Sequence, residues 1–461
     1  MKRYWIFLLA MPLFAGIEHL SLKQALEMLK KNNLELKIAQ FESQMKRYEA
    51  KAAKGYNYGS LDATVTGMRS NDAGNVFGFK LQSREADFGD FGFSDFLACD
   101  SSNPNPPAYC TDGTLLDKQP GDLNYPEARS HYQTKLSYML PLYTGGKLTE
   151  YGRIADSLHQ MSLYDTQKVL NEKIFQTKKA FYDISLVENY ISNLSKIMRN
   201  IDKLESIVKT MQKEGYAKNI DVLEVEARKA EAQSMLNQAK LNRELAYQFL
   251  SFLLNTEVSS IKKVDEMASM PRVDTAQIES NNIDIQKALL GLQITQMALN
   301  VEKSNFLPTV GAFAEYGSAD DRLWNEFFDK DAYTFGVQFK WNLFNGGIDA
   351  ANLEKAKVNY LKVQDQVALA KSGIALQVKK LQTEILSKSS DIKNYKKQLD
   401  FATKVYENYH ERYQEGLVSI SDLLMKQSKE LEMLLKLLTV ENERNTKIFE
   451  LNSILNDGGN V

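Results

Sequence analysis

Few side chains in this sequence could do chemistry of their own. The four histidines, His19, His131, His159 and His410, are scattered and form no metal or acid–base constellation. No nucleophile stands beside a base in a recognisable set, so no enzyme, cofactor or metal site is expected. Two acids draw attention because they share a context. Glu214-Gly215 precedes Asp221-Val222-Leu223, and 201 residues later Glu415-Gly416 precedes Asp422-Leu423-Leu424. An aspartate at a helix start is ordinarily a cap, accepting backbone N–H groups at the positive end of the helix dipole. Several such carboxylates converging on one axis would instead focus negative potential and favour cations. Cys99 and Cys110, the only cysteines, lie close together in a Pro/Asn/Ser-rich segment. In an exported protein they read as a loop disulfide, a metal pair being the lesser alternative.

Export is signalled at the start of the chain. Lys2-Arg3 precede an apolar run from Tyr4 to Leu13, and the small residues Ala15-Gly16 follow. Residues 1–16 read as a signal peptide cut after Ala15 or Gly16. The run is too short to span a bilayer as a helix, and no later stretch is long and apolar enough to do so. No Cys follows the cut, which argues against a lipid anchor. A net charge of −2 argues against a nucleic-acid partner.

The elements that position the two acids are written twice. Leu142-Tyr143-Thr144-Gly145-Gly146 recurs as Leu343-Phe344-Asn345-Gly346-Gly347, at the same offset of 201. A duplicated unit of this kind usually completes its core against its copy. The division that follows is a first repeat at 17–254, a linker at 255–280, a second repeat at 281–455 and a tail at 456–461. Each repeat reads helix, strand, loop, strand, very long helix, turn, helix. Ser21 and Gln24 form a capping box for a helix expected from Leu22 to about Ala53. The second copy starts near Asn282 and breaks at Pro308.

Strands show period two. Leu61, Ala63 and Val65 alternate with polar neighbours, as do Val310, Ala312, Ala314 and Tyr316. The returning strands are clearer: Tyr132, Thr134, Leu136, Tyr138 and Leu140 in one copy, Tyr333, Phe335, Val337, Phe339 and Trp341 in the other. Such alternation fits a membrane-barrel strand and a half-buried soluble strand equally well. The neighbouring helices decide between them. Arg153 to Glu214 contains no Gly or Pro, a rod of roughly 90 Å. Its apolar residues Tyr190, Leu194, Ile197, Ile201, Leu204, Val208 and Met211 follow coiled-coil spacing. So do Ile392, Tyr395, Leu399, Ala402, Tyr406, Tyr409 and Tyr413, with Leu424, Ser428, Leu431, Leu435 and Leu438 on an antiparallel partner.

The copies differ mainly between their strands, where the first carries a long loop (69–130) holding both cysteines. Segments that absorb such insertions belong at hairpin tips. Four membrane-length strands cannot close a barrel alone, and an open sheet in lipid leaves backbone groups unpaired at several kcal/mol each. If the strands span a membrane, several copies share one barrel; two, three or four remain open on this argument.

At this point the residues resemble a known family. Leu-Tyr/Phe-x-Gly-Gly after a barrel strand, paired with Glu-Gly-x5-Asp-Val/Leu-Leu at a helix turn, is similar to the TolC-type outer-membrane efflux proteins. The resemblance covers nearly the whole mature chain in both copies. It implies a homotrimer, mainly α with a small β-barrel of 12 strands in the outer membrane of a Gram-negative bacterium. An α-helical coiled-coil barrel would hang from it into the periplasm, with 255–280 in an equatorial zone. It implies an exit duct for drugs, metal ions or secreted proteins in a tripartite efflux or type I secretion system. Its partners would be a periplasmic adaptor and an inner-membrane pump of RND or ABC type.

Within that resemblance Gly215, Tyr216, Gly416 and Leu417 match the tips where adaptors dock, and Gly145, Gly146, Gly346 and Gly347 the repeat-motif turns. Asp422 matches an inward-facing aspartate ring at the periplasmic gate, with Asp221 its first-copy counterpart. Tyr413 matches a tyrosine that links neighbouring helices, and Glu224 offers a further carboxylate. Met425 stands where some members carry a second inward acid, and Val418 where some carry an arginine. The alternative is a periplasmic coiled-coil adaptor or scaffold without a channel. It would need a lipoyl-like β-domain and an anchor, and neither is visible.

Overall fold

The computed structural model describes residues 16–100, 102, 104–264 and 266–456. The expected signal peptide, apart from Gly16, and the tail beyond Asn456 lie outside the described residues. In chain order the helices are α1 Leu22–Asn32, α2 Leu34–Gly55, α3 Ala73–Gln82, α4 Phe93–Leu97, α5 Ala108–Thr111, α6 Gly121–Asn124, α7 Lys147–Lys213, α8 Asn219–Leu254, α9 Thr275–Asn281, α10 Ile283–Ser304, α11 Ile348–Gln414 and α12 Ile420–Ile454. The strands are β1 Ser60–Ser70, β2 Arg129–Tyr143, β3 Thr309–Asp320 and β4 Asp331–Lys340. Among the described residues no helix is long and apolar enough to cross a membrane. The chain forms two compact units, one built from the segments up to Arg47, Ser157–Gln293 and Leu361 onward, the other from Tyr48–Asp156 and Ile294–Tyr360.

The second unit holds one antiparallel sheet in the order β1-β2-β3-β4. Its register sorts the side chains by face. Leu61 opposes Tyr138, Leu136 opposes Tyr316, and Tyr316 opposes Tyr333. Ala314 opposes Phe335, and Val310 opposes Phe339. In these rows one face, which turns polar at one end at Thr134, Ser318 and Asp331, is apolar from edge to edge. The other carries Asp62, Ser137, Glu315 and Thr334 in one row, and on it Lys135 pairs with Glu315 at 3.0 Å. The ring of Phe313 covers Gly336, where a Cβ would come within 2.8 Å of the ring. At the Leu-x-x-Gly-Gly turns Gly145, Gly146, Gly346 and Gly347 all have φ between +64° and +87°, the left-handed region that suits glycine. Gly145 has a second reason, since a Cβ there would meet the Ser304 carbonyl at 2.9 Å.

The first unit is helical, and its core is duplicated like the sequence. Ala180, Ile184, Tyr247 and Leu250 are buried in one cluster with Leu26 and Leu29. Leu381, Ile385, Ile448 and Leu451, each 201 residues on, are buried in another with Ile278 and Ile285. Tyr182 and Phe449 join the two, edge to face at 4.9 Å. Each fully buried Leu or Ile contributes on the order of 1.5–3 kcal/mol relative to an exposed one. Helices α7 and α11 each run for 67 residues, roughly 100 Å.

Three expectations change. The single helix from Leu22 to Ala53 is two helices, because buried Asn33 stops α1 and caps α2: the Leu36 N–H donates to its side-chain oxygen at 2.8 Å. The linker 255–280 is structured. Val258 and Ile261 bridge to Ile17 and Leu20, and α9 occupies its end as the counterpart of α1. On α12 the buried stripe runs through Leu424, Met433, Leu437 and Val440, whereas Leu435 is 41 % exposed. With Met235 and Leu431 it lines an open groove of about 260 Å³.

Candidate functional site

Two helical turns in the first unit hold most of the residues singled out from the sequence. At the first, α7 ends and Gly215 takes φ +82°. The Tyr216 N–H then donates to the Met211 carbonyl at 2.7 Å, closing the helix through a left-handed cap, and the Tyr216 side chain projects into solvent, 81 % exposed. At the second, Gly416 takes φ +72°, the Leu417 N–H donates to the Arg412 carbonyl at 2.9 Å, and the Leu417 side chain is exposed. Nothing lies within 4 Å of a Cβ built on either glycine. Backbone conformation, not space, selects glycine here.

Both aspartates lie in the first turn of a helix, three residues after its cap, Lys218 for Asp221 and Ser419 for Asp422. Asp221 accepts the Lys218 N–H at 2.7 Å. Asp422 accepts the Ser419 hydroxyl at 2.6 Å, while Ser419 accepts the Asp422 N–H at 3.1 Å. Each carboxylate keeps one oxygen beyond these bonds. Asp422 is exposed, as is Met425 one turn later on the same helix.

The two turns are tied together. Ser421 of α12 donates to Glu224 of α8 at 2.5 Å. Tyr413, 8 % exposed, packs with Val208, Val222, Ile420 and Leu424 and points its hydroxyl at the Met211 sulfur, 3.9 Å away. Burial, reinforced by the charge of Asp221, pushes the Tyr413 hydroxyl pKa up. The hydroxyl therefore stays protonated and can only donate or accept a neutral hydrogen bond. Asp221, Glu224 and Tyr413 are thus brought together with Ser421. Asp422, next to Ser421 in the chain, bonds instead to Ser419 of its own turn.

Sequence reasoning missed the ion network behind the first turn. Lys229 bridges Asp202 and Glu205 at 2.8 Å each, and Lys209 bridges Glu205 at 2.5 Å and Glu226 at 2.9 Å. Lys209 follows Glu205 at i,i+4, the one part of the network visible in spacing alone. Hydrogen bonds from Lys209 and Lys229 hold the Glu205 carboxyl below the usual carboxylate range. Among the described residues no group of three or more His, Cys, Asp or Glu could hold a metal ion. In the other unit Cys99 and Cys110 are joined by a disulfide.

Residues 275–457 match the family model for outer membrane efflux proteins. No curated protein matches the sequence. The fold matches solved structures along nearly its whole length. The CmeC outer membrane channel of Campylobacter jejuni superposes with a TM-score of 0.76 at 15% identity, covering 95% of this chain and 86% of that one. CusC, whose structures concern folding and transmembrane channel formation, gives 0.76 at 14% identity over 94% and 91%. The MtrE outer membrane channel of Neisseria gonorrhoeae, in its open state, gives 0.74 at 14% identity over 94% and 88%. Family match and fold agree: residues 275–457 resemble outer membrane efflux proteins, the whole chain has the TolC-like channel fold, and none of these findings supports a channel-less periplasmic scaffold.

Proposed function

We propose that three copies of this chain form the outer-membrane duct of a tripartite efflux or type I secretion assembly, closed at its periplasmic end by the α7–α8 and α11–α12 turns. One observation carries the assembly. The sheet is open, with β1 and β4 as edges, and one face is apolar over most of its length: Phe335 and Phe339 on β4 are 76 % and 62 % exposed, Leu61 on β1 62 %. Apolar side chains belong against lipid, but unpaired edges do not. Joining β4 of one copy to β1 of the next satisfies both demands, and three copies supply the 12 strands the fold class implies. The polar face, with Lys135 and Glu315, then lines the lumen.

The duct does no bond chemistry. Its work is to open. The Ser421–Glu224 bond and the Tyr413–Met211 contact hold the two turns of each copy together, and opening requires one hairpin to slide from the other. The exposed side of Asp422, backed by Asp221, would place carboxylates around the constriction and favour cations there. Met425 would add an apolar collar one turn along. Gly215, Tyr216, Gly416 and Leu417 present a protruding, partly apolar surface for a periplasmic adaptor, which in turn would recruit an inner-membrane pump.

Extraction and sizing test the assembly. Carbonate should leave the protein in the membrane, and detergent should release a three-chain particle that heat dissociates. A carbonate-soluble monomer overturns the reading.

A further inference from the structure

We infer that the long first loop is a second closure of the duct, a lid seated in the outer mouth of the barrel, independent of the periplasmic turns. This rests on the barrel reading, since only a closed barrel gives the polar face of the sheet a lumen. The register puts His131, Gln133 and Lys135 of β2 on that polar face, with Glu315 and Thr334. Helix α3 lies against it. The ring of Phe79 stacks on the imidazole of His131, with centroids 4.1 Å apart and planes 6° from parallel. Phe79 is 6 % exposed and His131 1 %. The end of α3, at Leu81 and Arg84, shares a cleft of about 250 Å³ with Gln133, Lys135, Glu315 and Thr334. A loop that only projected from the rim would leave these lumen-facing groups uncovered.

The same segment is fastened to the ends of three strands. Arg129 of β2 donates to the buried Ser83 hydroxyl at 3.0 Å and pairs with Glu85. Glu85 also pairs with Lys330 at 2.5 Å, and Lys330 with Asp320 at the end of β3 at 2.9 Å. Arg84 donates to the backbone carbonyl of Asp331, the first residue of β4. The lid itself is held by one aromatic stack and the partly exposed pairs at Glu85, Lys330–Asp320 being buried within the β3–β4 hairpin; such a fastening is specific in geometry but modest in strength. That is the character of a latch. Three copies around the axis would narrow the exit, and cargo pressure or loss of the latch would swing α3 outward.

Thiol accessibility tests this directly, because Cys99 and Cys110 are already paired and the chain has no other cysteine. Thr334→Cys places a probe on the polar face beside α3. Whole cells are treated with a membrane-impermeant maleimide. Labelling of Thr334→Cys should be slow, and should rise at least tenfold when Phe79→Ala and Lys330→Gln are added. A rate unaffected by those changes overturns the lid. Phe79→Cys with His131→Cys gives the converse arm: the oxidised pair should keep labelling of Thr334→Cys low, and reductant should release it beyond the change reductant causes in the Thr334→Cys parent. No such release also counts against the lid. Phe335→Cys, on the apolar face, reports on the barrel itself. If it labels as fast as Thr334→Cys in every background, the barrel reading fails. If it stays inert while the lid variants change nothing, only the lid fails.

Discussion

Asn33 and Asn282 do the same two jobs in the two repeats. The side-chain oxygen of each caps the helix that follows, accepting from Leu36 N–H at 2.8 Å and Ile285 N–H at 3.0 Å. The side-chain amide of each donates to the end of the repeat's last helix, Asn33 to the Leu253 carbonyl and Asn282 to the Ile454 carbonyl, both at 2.8 Å. Both residues are 3 % exposed. A buried amide that supplies acceptor and donor at once cannot be replaced by any apolar residue. Asn33→Ala and Asn282→Ala should each cost about 1–3 kcal/mol. Asp at either position keeps the cap but leaves the carbonyl facing a carboxylate, and should be at least as harmful. Thermal dissociation of the detergent-solubilised assembly measures both.

The link between the two turns predicts a gating effect. Ser421→Ala or Glu224→Ala removes a 2.5 Å bond that joins α12 to α8 and should raise open-channel events in planar bilayers several-fold. Tyr413→Phe, which removes only the hydroxyl facing Met211, should act in the same direction and more weakly. Conductance identical to the unmodified protein in all three would remove these residues from the gate.

Charge at the constriction is tested without disturbing the caps. Asn retains an acceptor for the Lys218 N–H and the Ser419 hydroxyl, so Asp221→Asn with Asp422→Asn should fold normally. Block by multivalent cations should weaken by tenfold or more. Unchanged block would leave both aspartates as partners of the helix caps alone.

Substitution at the tip glycines separates docking from folding. An L-residue at Gly215 or Gly416 must adopt φ near +80° or +70°, costing roughly 1–2 kcal/mol, but it meets no neighbour. Gly215→Glu or Gly416→Glu should therefore leave the assembly intact while export falls. Normal export from these variants would move the adaptor surface elsewhere.

Acid should loosen the first hairpin. The Glu205 carboxyl is held below its ordinary value of 4.5 by Lys209 and Lys229. A depressed carboxylate pKa contributes stability that is complete above the unfolded value and is lost as pH falls toward the folded one. Pepsin cleavage between Asp202 and Arg228 should therefore rise as pH drops below about 4.5. In Glu205→Gln it should be high already and change less with pH. Equal pH dependence in both proteins would assign the loosening to other carboxylates.

Much of this was legible in the chain because the evidence was periodic or repeated. The 201-residue offset located both helical turns and both Gly-Gly turns, while the matching halves of the core emerged only from the structure. Period two identified all four strands, since a pleated strand fixes which face each side chain takes. Residue types alone could not say that Asn33 would end a helix, because capping competes with helix continuation until a partner such as the Leu253 carbonyl is in place. Nor could coiled-coil spacing tell Leu435 from Leu437, since an α-helix among several neighbours has more than one apolar flank. Contacts between residues far apart in sequence, Ser421 with Glu224, Lys330 with Glu85 and Phe79 with His131, leave no trace in local pattern. Only the tertiary fold brings them within bonding distance, and they are the groups on which the proposed gate and lid rest.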